Sequence, residues 1–365
     1  MINSLKFYKL LKKKNIDKYV GVPDSVLKNF LSIIPEKKNF ISNNEGSAVA
    51  YGVGYHLSTK RIPLIYMQNS GLGNAINPLI SIAHKKVYSI PLLLLIGWRG
   101  SPEIKDEAQH QAQGKVTKDF LRLMGIKTVI LNGNKDLIKI NDLINYSKRN
   151  SRPVAILVKN GLFQKVKSNR KIKKNNFSIK RINFLETLLK KISKNCKIIS
   201  TTGYVSREIH QLRNEKKLEN GSDFYMVGGM GHCANVALGY SKHSKRDVVV
   251  LDGDGSFLMH MGSMVNVGFL ANNNFKYILL NNGCHESVGS QKTLINKIDL
   301  DLLSKSIGFK KYVELKKKTE IEKKIKLALN VKEKIFFNVM IKEGSIKNLS
   351  RPKNFSVIKK KFINK

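Results

Sequence analysis

Eight short apolar runs limit what this chain can fold into. Four lie in the first half: PLIYMQ at Pro63 to Gln68, SIPLLLLIG at Ser89 to Gly97, KTVIL at Lys127 to Leu131 and PVAILV at Pro153 to Val158. Each is continuous rather than alternating, so a strand built from it needs cover on both faces, as in a parallel sheet between helix layers. The rhythm then restarts with CKIIST at Cys196 to Thr201, DVVVLDGDG at Asp247 to Gly255, KYILLNNG at Lys276 to Gly283 and KIFFNVMI at Lys334 to Ile341. Two α/β units in tandem are predicted, and 365 residues have room for two domains of about 150 residues each. Between them, QKVKSNRKIKKNNFSIK at 164–180 is almost free of large apolar side chains and reads as an exposed linker. The last fifteen residues, RPKNFSVIKKKFINK at 351–365, form a basic tail able to fray or to dock. No repeat of about 20 to 50 residues is evident, although the two halves can share a topology.

Charge raises one rival class at once. Lys and Arg outnumber Asp and Glu by 66 to 26, a formal net charge of +40, which favours polyanions. The excess is mostly Lys scattered among Asn and Ile, not an Arg-rich stripe with interleaved aromatics, so a solvated surface is the reading preferred over a nucleic-acid interface. Such a field still attracts a small anionic substrate. The three cysteines, Cys196, Cys233 and Cys284, have neither CxxC spacing nor a paired framework, which fits a reducing cytoplasm. The longest apolar run, Ile90 to Ile96, is far short of the roughly 20 residues of a membrane span, and the N-terminus lacks an apolar signal core. A soluble cytoplasmic protein is expected.

The chemistry concentrates in VVVLDGDGSFLMHMGSMVNVGFLANNNFKYILLNNGCHESVG. A strand ending near Leu251 runs into a Gly-Asp-Gly-Ser turn, a helix-like segment continues to about Ala271, and a second strand ends at Asn281-Asn282. The 28 residues from Asp254 to Asn282 allow one crossover, so both reach the carboxyl edge of the sheet, where open α/β folds bind ligands. A carboxylate, an amide and a backbone carbonyl make an all-oxygen set suited to Mg2+, itself a partner for phosphate oxygens. Gly253 and Gly255 permit close approach of a diphosphate. Taken singly, GDGS and NNG are equally readable as turns; the pair at the ends of two strands carries the functional reading.

This pair resembles the GDG-to-NN motif of the thiamin-diphosphate enzymes. With GVPDS (21–25), NNEGSAVA (43–50), YMQNSGLGNAINPL (66–79), IPLLLLIGWRG (90–100), DEAQHQAQG (106–114), TTGYVSRE (201–208) and NNGCHESVGSQ (281–291), the chain resembles the phosphonopyruvate decarboxylase family from Gly21 to about Ile341. The resemblance implies two thiamin-diphosphate-binding-fold domains, each a mostly parallel sheet with helices on both faces, and no central third domain. They are a pyrimidine-binding domain at 1–163 and a diphosphate-binding domain at 181–350, joined by the linker at 164–180 and followed by the tail. It implies metal ligation by Asp254, Asn282 and the carbonyl of Cys284. It implies cofactor contacts from Thr202, Gly203, Gly228, Met230, Gly253, Gly255 and Ser256. Glu45 is the carboxylate expected against the pyrimidine nitrogen; its alternative reading is a carboxylate favoured by the start of a helix. Met230 is also readable as core filler.

The implied reaction is decarboxylation of 3-phosphonopyruvate to phosphonoacetaldehyde, a step toward phosphonates of the 2-aminoethylphosphonate type. His110 is the candidate for proton handling. Arg99 and Arg207 are candidates for the phosphonate because a guanidinium grips such oxygens as a fork. Ser25, Asn69, His232 and His285 are further substrate candidates. Each of these has a plain structural alternative. The family shares sites between subunits, so a homo-oligomer, at least a dimer, is implied. Departures such as DEAQH for DEPQH, a Tyr for the Lys that commonly follows TTG, and HESVGSQKT for HDSVGGQPT touch substrate preference. Sulfopyruvate decarboxylase, often two half-length subunits, is the alternative, and the fused length here favours the phosphonate. A basic nucleic-acid-binding protein and an inactive regulatory homologue are rivals from other classes; Glu45, Asp254 and Asn282 together argue against the latter.

Overall fold

The computed structural model describes residues 1–102, 104–166 and 175–364. Two compact units emerge: residues 1–172 with 288–291, and residues 173–287 with 292–365. In the first, β1 (Tyr19–Gly21), β2 (Asn39–Ile41), β3 (Leu64–Gln68), β4 (Leu93–Trp98), β5 (Lys127–Leu131) and β6 (Val154–Lys159) form one sheet in the order β2-β1-β3-β4-β6-β5. All its pairs are parallel.

The second unit contains β7 (Ile179–Lys180), β8 (Lys197–Ser200), β9 (Ser222–Tyr225), β10 (Val248–Gly253) and β11 (Phe275–Asn281). Two-residue strands β12 (Cys284–His285) and β13 (Gln291–Lys292) lie off its sheet, and β14 (Lys311–Leu315) and β15 (Ile335–Lys342) complete it. Read from β9, the order is β9-β8-β10-β11-β15-β14, with β7 added beside β15. Counted along the chain, both units therefore have the strand order 2-1-3-4-6-5. In each, the chain leaves the first strand in opposite directions for the second and third. A crevice for ligand consequently opens at the carboxyl ends of the first and third strands.

The eight apolar runs are all strands because alternate residues are claimed by different helix layers. In β4, Leu93 and Leu95 join one core while Leu94 and Ile96 join the other. In β11, Ile278 and Leu280 face one layer and Tyr277 and Leu279 the opposite one. Fully burying each such side chain contributes roughly 1.5–3 kcal/mol. Among the described residues no helix is long and apolar enough to cross a membrane.

Two expectations are corrected and one open alternative, the docking of the tail, is decided. The linker expected at 164–180 ends earlier: Ile179 and Lys180 pair in parallel with Ile341 and Lys342, and Asn175 Nδ2 donates to the carbonyls of Asn282 (2.8 Å) and Ile341 (3.2 Å). Residues 167–174 lie outside the described residues. The helical segment expected to reach Ala271 breaks at His260 (φ −132°, ψ 41°), giving helices Asp254–Met259 and Met264–Leu270. The tail docks as helix Phe355–Asn364, with Phe362 buried against Phe224 and Tyr240 at ring-centroid distances of 5.7 and 5.4 Å.

Candidate active site

In the first unit the crevice is built around two buried carboxylates. Asn44 caps the helix Glu45–Thr59 by accepting from Gly46 N at 2.7 Å, which fixes Glu45 as its first residue. Glu45 is 5% exposed, and burial raises its carboxyl above the usual range although Asn74 Nδ2 donates to Oε2 at 2.8 Å. Gly71 makes room for it: a Cβ there would lie 2.1 Å from Glu45 Oε1.

Asp24, in GVPDS after β1, was not singled out from the sequence. It is 1% exposed, and a Cβ at Gly97 would stand 1.8 Å from its Oδ2. Burial pushes its carboxyl up to about 6, against the pull of the Val26 N–H and the Arg99 guanidinium. The signal available in sequence was an acid inside an apolar strand-to-helix turn, which is equally the signature of a helix cap.

The residues at the ends of β3 and β4 hold one another. Asn69 Nδ2 donates to Arg99 O and Thr117 Oγ1, each at 2.9 Å, and its Oδ1 accepts from Arg99 N at 3.1 Å. Its amide staples two strand ends, the structural alternative to its expected role as a neutral substrate contact. Arg99 is likewise corrected: Asp106 closes its fork through Nε (2.7 Å) and Nη2 (2.5 Å), leaving Nη1 directed at Ser25 Oγ at 3.5 Å. That ion pair holds the Asp106 carboxyl well below its ordinary value. His110 is half-buried, three residues into helix Ala108–Leu123, with its carbonyl against Gly100.

In the second unit the crevice lies after β8 and β10. Thr201 Oγ1 donates to Ser256 Oγ at 3.0 Å, and Gly231 N donates to the same oxygen at 2.9 Å, tying three loops together. Thr202 and Gly203 follow in the turn, where Gly203 at φ +90° needs to be glycine. Gly228 and Met230 lie half-buried in the glycine-rich loop after β9. Asp254 is 4% exposed at the start of its helix, and burial pushes its carboxyl up to about 7. The groups offsetting this are neutral: Thr293 Oγ1 donates to Oδ2 at 2.7 Å, and the N–H groups of Gly255 and Gly283 also act on the carboxyl. The Gly283 N–H comes from the NNG turn after β11, so the GDG and NN turns meet as their spacing requires.

Asn282 Nδ2 donates to Glu286 Oε2 at 3.1 Å, and its Oδ1 accepts from Cys284 N at 3.1 Å, retaining a second lone pair. Among the described residues no cluster of three or more His, Cys, Asp or Glu is gathered for a metal. A cation here has to use one carboxylate with amide and carbonyl oxygens, the donor set preferred by Mg2+. A buried carboxylate held only by neutral donors fits that role. A Cβ at Gly253 would meet nothing within 4 Å, whereas one at Gly255 would meet the His285 ring at 2.7 Å. Gly255 is thus explained by His285, a half-buried ring whose imidazole desolvation lowers to about 4. His232 stacks on His260, centroids 4.4 Å apart. Arg207 is the second corrected arginine: it donates to the carbonyls of Leu349 and Ser350, just before the tail.

Comparison with known proteins agrees with this division. Residues 6–123 match the family described as thiamine pyrophosphate enzyme, N-terminal TPP binding domain, and residues 201–339 match its C-terminal TPP binding domain. The chain is 32% identical over 352 residues to a phosphonopyruvate decarboxylase of Streptomyces viridochromogenes, covering 91% of this chain and 87% of that protein. A sulfopyruvate decarboxylase of Methanosarcina acetivorans is 26% identical over 363 residues, covering 93% and 91%. A sulfopyruvate decarboxylase subunit alpha of Methanocaldococcus jannaschii is 35% identical over 162 residues, covering 43% and 93%. Because a sulfopyruvate decarboxylase matches along nearly the whole chain, fused length does not separate the two activities; the higher identity over like coverage does. The chain belongs to the phosphonopyruvate decarboxylase family of thiamine pyrophosphate enzymes.

Proposed function

We propose that this chain catalyses the thiamin-diphosphate- and Mg2+-dependent decarboxylation of 3-phosphonopyruvate to phosphonoacetaldehyde and CO2. The observation that carries the chemistry is Asp254, a buried carboxylate with neutral partners at the meeting of the GDG and NN turns. The substrate rests on the 32% identity to a phosphonopyruvate decarboxylase. Asp254, Asn282 and the Cys284 carbonyl would hold Mg2+, and the 253–256 turn with Thr202 and Gly203 would hold the diphosphate. Gly228 and Met230 would support the pyrimidine. When bound, the cofactor supplies the electron sink for decarboxylation.

The chain's own residues orient the reactants and move protons. Asn74 pins one oxygen of Glu45, and burial keeps a proton on that carboxyl to higher pH than usual, the state in which it can exchange one with a ring nitrogen. Asp24 and Ser25 offer acid and hydroxyl at the first crevice, and His110 serves proton transfer. His232 and His285 offer ring contacts near the 228–231 loop and the 253–256 turn. The working form is a homo-oligomer, at least a dimer, in the cytoplasm; three buried cysteines that form no disulfide suit a reducing compartment.

Aldehyde formation with Mg2+ and thiamin diphosphate, offered 3-phosphonopyruvate, 3-sulfopyruvate and pyruvate in parallel, tests this. Preference for phosphonopyruvate, lost in Glu45→Gln, is expected; preference for sulfopyruvate would move the chain to the relative's activity. Asp254→Ala should abolish Mg2+-dependent cofactor binding and leave salt-sensitive polyanion binding unchanged.

A further inference from the structure

Glu286 receives three donors from three parts of the second unit. Asn282 Nδ2 donates to Oε2 at 3.1 Å, Arg181 Nη1 donates to Oε2 at 3.0 Å, and Gly344 N donates to Oε1. Arg181, 4% exposed, is itself gripped by Glu208 through Nε at 2.9 Å and Nη2 at 3.0 Å, and Nη2 also donates to Gly344 O at 3.3 Å. A buried arginine with two carboxylates is costly to assemble and gives little stability compared with an apolar replacement, so its presence calls for a role.

An amide presents an oxygen at one end and a donor at the other, and the two ends have almost the same shape. A carboxylate oxygen that already takes the Arg181 N–H accepts from the amide, so Glu286 holds Asn282 with nitrogen toward itself and oxygen away from it. Arg181 and the Gly344 N–H hold Glu286 in place, while Glu208 holds Arg181. We propose that the Glu208–Arg181–Glu286 relay is a positioning device that sets divalent-cation affinity by locking Asn282 with Oδ1 available as a ligand. The inference rests on the reading of Asp254 and Asn282 as metal ligands. Glu286 is a positioning residue, and its charge is spent on Asn282 and Arg181 rather than on the cation.

The test is calorimetric titration of Mg2+ into the full chain at saturating thiamin diphosphate, with melting temperature measured on the same samples without metal. Glu286→Gln preserves volume but offers a donor as well as an acceptor, so either amide orientation becomes acceptable. Mg2+ affinity should fall about 10-fold or more, the scale typical of residues that orient metal ligands. The double variant Asn282→Asp/Glu286→Gln reverses the polarity of the hydrogen bond and makes both ends of residue 282 oxygen. It should recover most of the lost affinity, which a merely structural role for Glu286 would not predict. Unchanged affinity in Glu286→Gln, or no recovery in the double variant, overturns the relay. Asp254→Ala in parallel separates the two readings: if it retains Mg2+-dependent cofactor binding, the metal site itself is misassigned. Should Glu286→Gln melt too low to titrate, Arg181→Lys, which keeps the charge but loses the fork, is expected to weaken Mg2+ binding in the same direction, and unchanged affinity there overturns the relay.

Discussion

Single residues in this protein divide into those whose chemistry is exposed by the fold and those whose chemistry is consumed by it. Arg99 and Arg207 look alike in sequence, yet Asp106 closes one fork and the backbone carbonyls of Leu349 and Ser350 occupy the other. Asp24 shows the opposite case, an acid whose charge is penalised. Its carboxyl is raised to about 6 by burial, so its contribution to stability is intact below the ordinary carboxyl value and is lost as pH rises through about 6. Asp24→Asn should therefore stabilise the fold at pH 7.5 by about 3 kcal/mol, the equivalent of roughly two pKa units, with the gain fading toward pH 4. Denaturant midpoints at pH 7.5 and 4.5 check this; an equal gain at both would mean that ionisation is not the cause. Asn69 was legible as polar and near the site, but its stapling role depends on Arg99 and Thr117, 30 and 48 residues away.

At the level of elements, strands were legible and their ends were not. The continuous runs identified β3, β4, β5, β6, β8, β10, β11 and β15, because a strand buried on both faces has no polar alternation to obscure it. Among the strands outside those runs are β1 and β14. The first has three residues, too few for a period, and the second is an edge strand with two exposed or half-exposed positions flanking Val313. The amino edge of the second sheet carries a feature that composition disguised as surface charge. Lys197, Lys276 and Lys334 are buried and donate to carbonyls at Phe362, at Val331 and Glu333, and at Gly268 and Phe269 respectively. Burial lowers the ammonium groups of Lys276 and Lys334. The tail helix is fastened at this edge by Phe362, so Phe362→Ala should cost about 3 kcal/mol, typical of an aromatic removed from a core. It should also speed proteolysis within 351–364; limited trypsin digestion with thermal melting reads both effects, and an unchanged digestion pattern would show that the tail is held elsewhere.

On the scale of the whole molecule, the two units repeat one topology, 2-1-3-4-6-5, and each places its chemistry at the corresponding crevice: Asp24 and Glu45 near one, Asp254 and Asn282 near the other. The net charge of +40 gives a field that draws in an anionic 2-oxo acid. As salt shortens the screening length from about 30 Å at 0.01 M to under 10 Å, kcat/KM for phosphonopyruvate should fall several-fold while kcat holds. Steady-state kinetics across ionic strength would show this, and a flat kcat/KM would mean that the lysines do not steer substrate. Sequence by itself determined the α/β class and the tandem division, because buried strands are local patterns that no distant partner is needed to define; thiamin diphosphate followed from the resemblance carried by the GDG and NN turns, and the metal-binding role of Asp254 and Asn282 belongs to the proposal. Only the tertiary structure decided the repeated strand order, the closed forks of Arg99 and Arg207, the burial of Asp24, the docking of the tail and the relay from Glu208 to Asn282. Those depend on which side chains meet across long stretches of chain, and hydrogen-bond capacity, unlike hydrophobic periodicity, carries no signature of its partner.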